Sequence, residues 1–579
     1  MYGKDWKTSA REYKVQVERG IRIKTSDGVE LDADIFRPSV SGGTAKFPAL
    51  LGAHPYSKAG QVEPIKVNST SGLIPHVGEE RPRGSLEAGD PYFFARRGYV
   101  HVVANLRGTG RSGGFFTHLG KREVQDVYEA IQWIADQPWC DGNVGMFGVS
   151  YFAMIQLLVA GLNPPNLKCL FAPWGSTDPY RDMYYHGGIL SARWTLGYPK
   201  TSLSYSNVRP ISVTKEVEGA EGLSRRIAEL LSDEDISSIP ELVDVLKNPD
   251  RGMNQFIVDV LAHPLDDYYW QERRARLEKI NVPCYLGADW AVFHLNSAFR
   301  NWERIKAPKK MLIGPVAYLD RPLYQLQYES LRWFDHWLKG IDTGIMEEPS
   351  IQLFLNESGR WKESSQWPLQ ETKWTPFYIH ENNLLSERDY WTNEGSDSYF
   401  DSPWSRGYLE YRTPAFVEET EFTGEPSLTL YASSTDEELL LSVRVFESDR
   451  TGQQERIVTS GWLRGSQRKV DEARSKPWSP HHPHDSRNKL EPGKIYEFNV
   501  ALMPMCAVVA PGSKLVLRIS SVDYEKQGTL AMLASGHLKH QYPSRVTIFH
   551  NDDQPSNLLL PVTAGNIIGT YISEGKPYV

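Results

Sequence analysis

The stretch that most constrains this chain is Gly145-Met146-Phe147-Gly148-Val149-Ser150-Tyr151-Phe152-Ala153. A short apolar run, residues 144–147, leads into a Gly-x-Ser turn, and the uncharged, proline-free residues 153–162 follow. That order reads as strand, tight turn, helix. In such an elbow the serine takes a strained backbone at a strand end, which demands small neighbours. Its hydroxyl then stands above the sheet, and the amide of Tyr151 opens a helix whose N-terminus favours negative charge. The complete pattern is Gly-x-Ser-x-Gly, and this chain carries Phe152 at the last position. Isolated Gly-x-Ser triplets are common, so the surroundings must decide.

Those surroundings alternate strands with helices. Residues 13–17 and 21–23 alternate like strands before the turn Ser26-Asp27-Gly28, and residues 29–36 do so again up to Pro38. Residues 49–54 and 100–103 read as buried strands. Between them lies a polar Gly/Pro-rich loop, 57–90, of the long kind that usually carries function, and then a helix at 92–97. Val127, Ile131 and Ile134 recur at helical spacing within 123–136, and residues 169–172 resume the core after the elbow helix. This alternation predicts a largely parallel sheet with helices on both faces. Residues 178–275 are Tyr- and Trp-rich and then helical with charged faces, as in an inserted cap. Core strands return at 282–287 and 310–315, closed by an amphipathic helix at 328–338. Beyond about residue 350 short alternating strands run to the end, as in a sandwich or jelly roll. The expected division is 1–177 and 276–345 for an α/β core, 178–275 for a helical cap and 346–579 for a β jelly roll.

Composition excludes several classes. With 579 residues, 40% hydrophobic and 12% aromatic, the chain can build two to four domains with large cores. A net charge of -8 gives no basic field, so neither nucleic acid nor an anionic membrane is an expected partner. No apolar run reaches 18 residues, and Met1-Tyr2-Gly3-Lys4-Asp5-Trp6-Lys7 is unlike a signal peptide. A soluble cytoplasmic protein acting on a small-molecule substrate is expected, with the oligomeric state left open, a homodimer included. Cys140, Cys169, Cys284 and Cys506 lie far apart, as buried free thiols do. His481-His482-Pro483-His484-Asp485 lacks ligand spacing and reads as an exposed loop. Gly108-Thr109-Gly110-Arg111-Ser112-Gly113 matches G-x-G-x-x-G, but Phe115-Phe116-Thr117-His118-Leu119-Gly120 separates it from the next helix, so it is no phosphate cradle. No cofactor and no metal are expected.

Further motifs carry a resemblance. They are His54-Pro55-Tyr56, Arg107-Gly108-Thr109-Gly110-Arg111-Ser112, Gly148-Val149-Ser150-Tyr151 and Phe334-Asp335-His336-Trp337-Leu338-Lys339-Gly340. In the C-terminal part they are Gly461-Trp462-Leu463-Arg464 and Leu490-Glu491-Pro492-Gly493. Together they resemble the cocaine-esterase and X-prolyl-dipeptidyl-peptidase (CocE/NonD) family of serine hydrolases over nearly the whole chain. The resemblance implies an α/β-hydrolase core, a helical cap and a C-terminal jelly roll. It also implies Ser150 as nucleophile, with the oxyanion held by the Tyr56 hydroxyl and the Tyr151 amide.

The rest of the family's triad does not carry over. Its acid position falls on Val292 and its histidine position on Tyr318. Valine cannot orient an imidazolium, and a tyrosine near its ordinary pKa of about 10 is a poor base at neutral pH. His294, two residues past Val292, is the best-placed substitute base, and it can equally be an ordinary loop histidine. Asp289 is a displaced acid or a strand-end carboxylate; His54 and His186 are either pocket or structural histidines. Glu123 and Asp126 open a helix, where carboxylates suit the dipole. The aromatic residues Trp174, Tyr180, Tyr184, Tyr185 and Trp194 are expected to line a pocket for a largely apolar acyl or aryl substrate. Three readings follow. One is an ester or amide hydrolase acting through Ser150 with a rearranged triad. Another is a lyase, cyclase or isomerase using the oxyanion site and Tyr318. The third is a catalytically inactive binding protein.

Overall fold

The computed structural model describes residues 6–41, 45–58, 61, 87–290, 294–314, 326–355, 358–389, 393–523 and 536–565. Val292 and Tyr318 lie outside these residues.

The alternating segments of the first part of the chain build one ten-stranded sheet. In chain order its strands begin with β1 (Lys14–Lys24), β2 (Glu30–Ser39), β3 (Phe47–His54), β4 (Val100–Asn105), β5 (Cys140–Phe147) and β6 (Leu167–Phe171). A two-stranded hairpin, β7 (Tyr185–His186) and β8 (Ile189–Leu190), stands apart from it. Then β9 (Cys284–Asp289), β10 (Lys309–Gly314), β11 (Ile351–Leu355) and β12 (Arg360–Ser364) complete the sheet. The spatial order is β1-β2-β4-β3-β5-β6-β9-β10-β11-β12, parallel from β4 through β11 and antiparallel at both edges. The sheet thus runs past residue 345, where the sequence reading ended the core. The strand pattern at 351–364 is local, but the sheet a strand joins is decided by tertiary packing.

Chain direction explains where a site can form. The chain passes from β3 to β4 on one side and returns to β5 on the other, so β3 is the switch point of the order. Ligands of open parallel sheets bind at the carboxyl ends of the strands beside such a point. Those ends are His54 and Phe147, followed by Tyr56 and Ser150.

Helices cover the sheet for reasons visible in their sequences. Lys121–Ala135 buries Val124, Val127, Ala130, Ile131 and Ile134 on one stripe. Tyr151–Ala160 is buried at every position, with Gln156 and the Tyr151 hydroxyl its only polar side-chain groups. Gln327–Lys339 packs on β5 and β6, and Gly145 makes room for it: a Cβ there would meet Leu338 Cδ1 at 3.0 Å and Phe334 Cε1 at 3.1 Å. Between β6 and β9 come Ala192–Thr201, Val213–Ser232, Pro240–Lys247 and Asn254–Ala262. Beyond β12 the described strands, from Lys373–His380 to Asn557–Ala564, form a separate, mostly antiparallel network around its own apolar cluster, which includes Phe377, Leu428, Val443, Leu517 and Leu558. The four cysteines are buried and form no disulfide among the described residues. No described helix is long and apolar enough to cross a membrane.

The helical segment and the β domain are joined by polar contacts. The Arg464 amide donates to the Gly187 carbonyl at 2.8 Å, and the Leu538 amide to that of Leu190 at 2.8 Å. His540 is held between two carboxylates. Its Nδ1 meets both Asp235 oxygens at 3.2 Å from the short helix Glu234–Ser237, and its Nε2 meets Asp436 Oδ1 at 3.2 Å. Burial lowers its pKa, but Asp235 and then Asp436 outweigh that and leave it above the ordinary imidazole value. A folded pKa above the unfolded one stabilises fully below the unfolded value, and the contribution is lost as pH rises through the folded value. His540→Gln should therefore lower the thermal unfolding midpoint by about 2–6 °C at pH 6. The difference should shrink at pH 9, and an equal loss at both pH values would rule out the charged bridge.

Candidate active site

Ser150 lies between β5 and the helix Tyr151–Ala160 with φ 60 and ψ -124, a left-handed conformation that side chains avoid. Its carbonyl starts the helix by accepting from the Met154 amide at 2.9 Å, but its side chain makes no capping bond. The half-buried hydroxyl is thus not spent on the helix end. Gly148 enters the turn at φ 137, where a Cβ would lie 2.5 Å from Phe152 Cβ. Phe152, in place of the pattern's last glycine, stacks on His54 at 4.6 Å.

Tyr151 is anchored through its side chain. Its hydroxyl donates to Glu123 Oε1 at 2.6 Å and accepts from the Leu119 amide at 3.0 Å. Its main-chain N–H belongs to the helix's first turn, which has no intrahelical acceptor. Glu123 is wholly buried, and burial pushes its carboxyl up to about 7 against the Tyr151 hydrogen bond. Tyr56 faces Tyr151 edge-on with ring centroids 6.3 Å apart, and its hydroxyl meets that of Tyr198 at 3.1 Å. Asn105 Nδ2 holds the Tyr56 carbonyl at 2.7 Å, fixing the loop after β3.

An aromatic group surrounds this pair. Trp194 stacks on Tyr198 at 4.5 Å, and His118 lies 5.6 Å from Tyr151 and 6.1 Å from Tyr198. His118 Nε2 meets the Tyr184 hydroxyl at 3.0 Å. Of the expected lining residues, the structure brings Tyr184 and Trp194 to this group. Tyr180 and Tyr185 instead stack on each other at 5.1 Å around Trp270, and the Tyr185 hydroxyl donates to the Val260 carbonyl at 3.0 Å. They fill the interior of the helical segment, because hydroxyls that find backbone acceptors there let the rings bury. Trp174 is buried beside β9, its Nε1 donating to Asp289 Oδ2 at 3.3 Å.

The histidines separate by environment. His294 immediately precedes the helix Leu295–Arg304 without capping it through its side chain; its Nδ1 lies 2.8 Å from the Ser176 hydroxyl, and burial drives its imidazole down to about 3. His54 Nδ1 accepts from the Tyr56 amide at 3.1 Å, so that lone pair is taken; burial and then Lys58 lower it to about 3. His186 is remote in chemistry, with Nδ1 against His537 Nε2 at 2.7 Å and Nε2 against the Asp182 carbonyl at 3.0 Å. Asp126 pairs with Arg107 at 2.6 Å and serves the fold. His118, Glu123's bond to Tyr151, and Tyr198 escaped the sequence reading. Only His118 had a signal, the interruption Phe115-Phe116-Thr117-His118-Leu119-Gly120, in which His118 and Leu119 take φ 46 and 61. Among the described residues no group of three His, Cys, Asp or Glu side chains could hold a metal. His482 meets backbone carbonyls with both ring nitrogens.

Comparison with known proteins agrees with this geometry. Residues 27–319, just over half of the chain, match the X-Pro dipeptidyl-peptidase (S15) family, and residues 343–554 match the X-Pro dipeptidyl-peptidase C-terminal non-catalytic domain. Cocaine esterase of Rhodococcus sp. (strain MB1 Bresler) is 24% identical, covering 94% of this chain and 98% of its own. A putative Xaa-Pro dipeptidyl-peptidase of Bacillus anthracis is 22% identical over 85% of this chain and 80% of its own. In structure the chain resembles a CocE/NonD family hydrolase from Staphylococcus aureus, with a TM-score of 0.77 and 24% identity over 95% and 93% of the two chains. With an elbow serine on a parallel sheet and both family regions matched, the chain belongs to the X-Pro dipeptidyl-peptidase (S15) family.

Proposed function

We propose that the protein cleaves an ester or amide of a small, largely apolar acyl substrate through Ser150. The observation that carries this reading is the left-handed Ser150 backbone, which lifts a hydroxyl not used for capping beside the first-turn amide of Tyr151. In the proposed step Ser150 Oγ attacks the carbonyl carbon and gives its proton to His294. The oxyanion takes the Tyr56 hydroxyl and the Tyr151 amide. Donation from Tyr198 to the Tyr56 oxygen leaves the Tyr56 proton for the oxyanion. Return of the proton expels the alcohol or amine, and water releases the acyl group by the reverse sequence. Tyr184 and Trp194 supply apolar walls with polar edges.

A second reading, a non-hydrolytic reaction on a carbonyl substrate with Tyr318 as acid or base, is favoured by one observation. His294 contacts a serine hydroxyl, and its imidazole is held near 3, which makes it a weak base.

Labelling with a fluorophosphonate and turnover of p-nitrophenyl esters separate the two. For the hydrolase, Ser150→Ala should abolish labelling and cut kcat by about 10⁴-fold or more, and His294→Ala should cost about 10²–10⁴-fold. Absent labelling, with turnover of the true substrate surviving Ser150→Ala but not Tyr318→Phe, would sink it. Tyr56→Phe should lower kcat by about 10²–10³-fold with KM little changed, as loss of one oxyanion donor does. A base must be neutral to accept a proton, and a lowered pKa keeps His294 neutral in acid. Ester turnover should therefore persist at pH 5, and an acid limb near pH 6.5 would exclude His294 as the base.

A further inference from the structure

A cavity of about 700 Å³ opens between the helical segment, the helix Leu295–Arg304 and the β domain, and none of its walls comes from the elbow or its aromatic group. Four of its carboxylates are already committed. Asp178 pairs with Arg181 at 3.0 Å, Asp182 with Arg300 at 2.9 Å, Glu278 with Arg304 at 2.6 Å and Glu303 with Lys476 at 2.5 Å. The fifth, Glu425, is pushed up to about 7 by burial and by Glu303, so near neutrality it is as much a hydrogen-bond donor as a charge.

Two basic groups remain uncommitted. Arg474 stands at the exposed rim with no acid in ion-pairing reach among the described residues, and His481 Nε2 is buried without a hydrogen-bond partner. At the His481 ring the nearby guanidinium groups outweigh the nearby carboxylate of Asp178. Burial and then the guanidinium groups of Arg181, Arg474 and Arg300 hold the His481 imidazole down at about 3. After burial, Arg181 and Arg304 also disfavour the charge on Arg474. In a chain of net charge -8 such a site is relieved by a bound anion. A volume of this size suits a small organic molecule, and a guanidinium fork matches carboxylate or phosphate oxygens. Leu502 and Met503 are apolar residues of the cavity lining.

We propose that this cavity binds a small organic anion, its carboxylate or phosphate group taken by Arg474 and His481 and its body resting on Leu502 and Met503. Isothermal titration of the full chain with benzoate, and separately with inorganic phosphate, tests it. At least one probe should bind saturably at one site, about tenfold or more weakly in Arg474→Gln. Met503→Trp, which fills the cavity without removing a charge, should block binding too. Unfolding midpoints report whether either variant still folds, and p-nitrophenyl ester turnover should stay unchanged in Arg474→Gln. Benzoate binding alone assigns a carboxylate on an apolar body, phosphate binding alone assigns a phosphoryl group, and both together assign a general anion site. No saturable binding of either probe, or binding that survives both variants, overturns the proposal.

Discussion

The left-handed backbone of Ser150 is the constraint on which the other features depend. A non-glycine residue there costs on the order of 1–3 kcal/mol and persists only where the neighbourhood over-determines it. Here the neighbourhood does so from every side. The Gly148 carbonyl accepts from Gln156 Nε2 at 3.0 Å, and its amide donates to the Phe171 carbonyl at 3.3 Å. The following helix is buried at every position and cannot shift to relax the turn. Such strain is held by packing together with these hydrogen bonds, so the elbow and the hydrophobic core are one cooperative object.

The same logic extends outward through Tyr151. Its hydroxyl ties the helix N-terminus to Glu123 and to the Leu119 amide, which places two further left-handed residues, His118 and Leu119, against the aromatic group. The strained turn is thereby tied to a strained loop. His54 and His294 are held neutral chiefly by burial, with the Lys58 charge adding to it at His54. A site of this kind favours neutral hydrogen-bond chemistry over ion pairs, in keeping with hydroxyl-to-hydroxyl contacts such as Tyr56 with Tyr198.

Much of this was legible in the sequence, for a physical reason. Parallel strands buried on both faces read as apolar runs, as at 49–54 and 100–103, and the elbow reads through its small residues. The late strands at 351–364 were visible as strands, but their place in the first sheet depends on long-range pairing with β10. Tyr180 and Tyr185 looked like pocket residues because composition cannot say which way a ring faces. Their hydroxyl partners, the Pro264 and Val260 carbonyls, lie 84 and 75 residues away. Glu123 looked like a dipole carboxylate because its partner Tyr151 lies 28 residues on, beyond any helical spacing. His294 could be placed near the elbow by position, but its contact with Ser176 bridges 118 residues.

Phe152 carries a consequence for how this sequence can change. Its ring fills the space above Gly52, where a Cβ would meet Phe152 Cε1 at 3.2 Å, and its Cβ closes on Gly148. The large residue at 152 and the two glycines are therefore a matched set. Enlarging position 52 or 148 first meets a wall, whereas shrinking 152 first removes the nearer of His54's two stacking rings and opens a void. Substitutions here are viable only in certain orders. With phenylalanine in place of the pattern's final glycine, the elbow tolerates only changes that keep this packing whole.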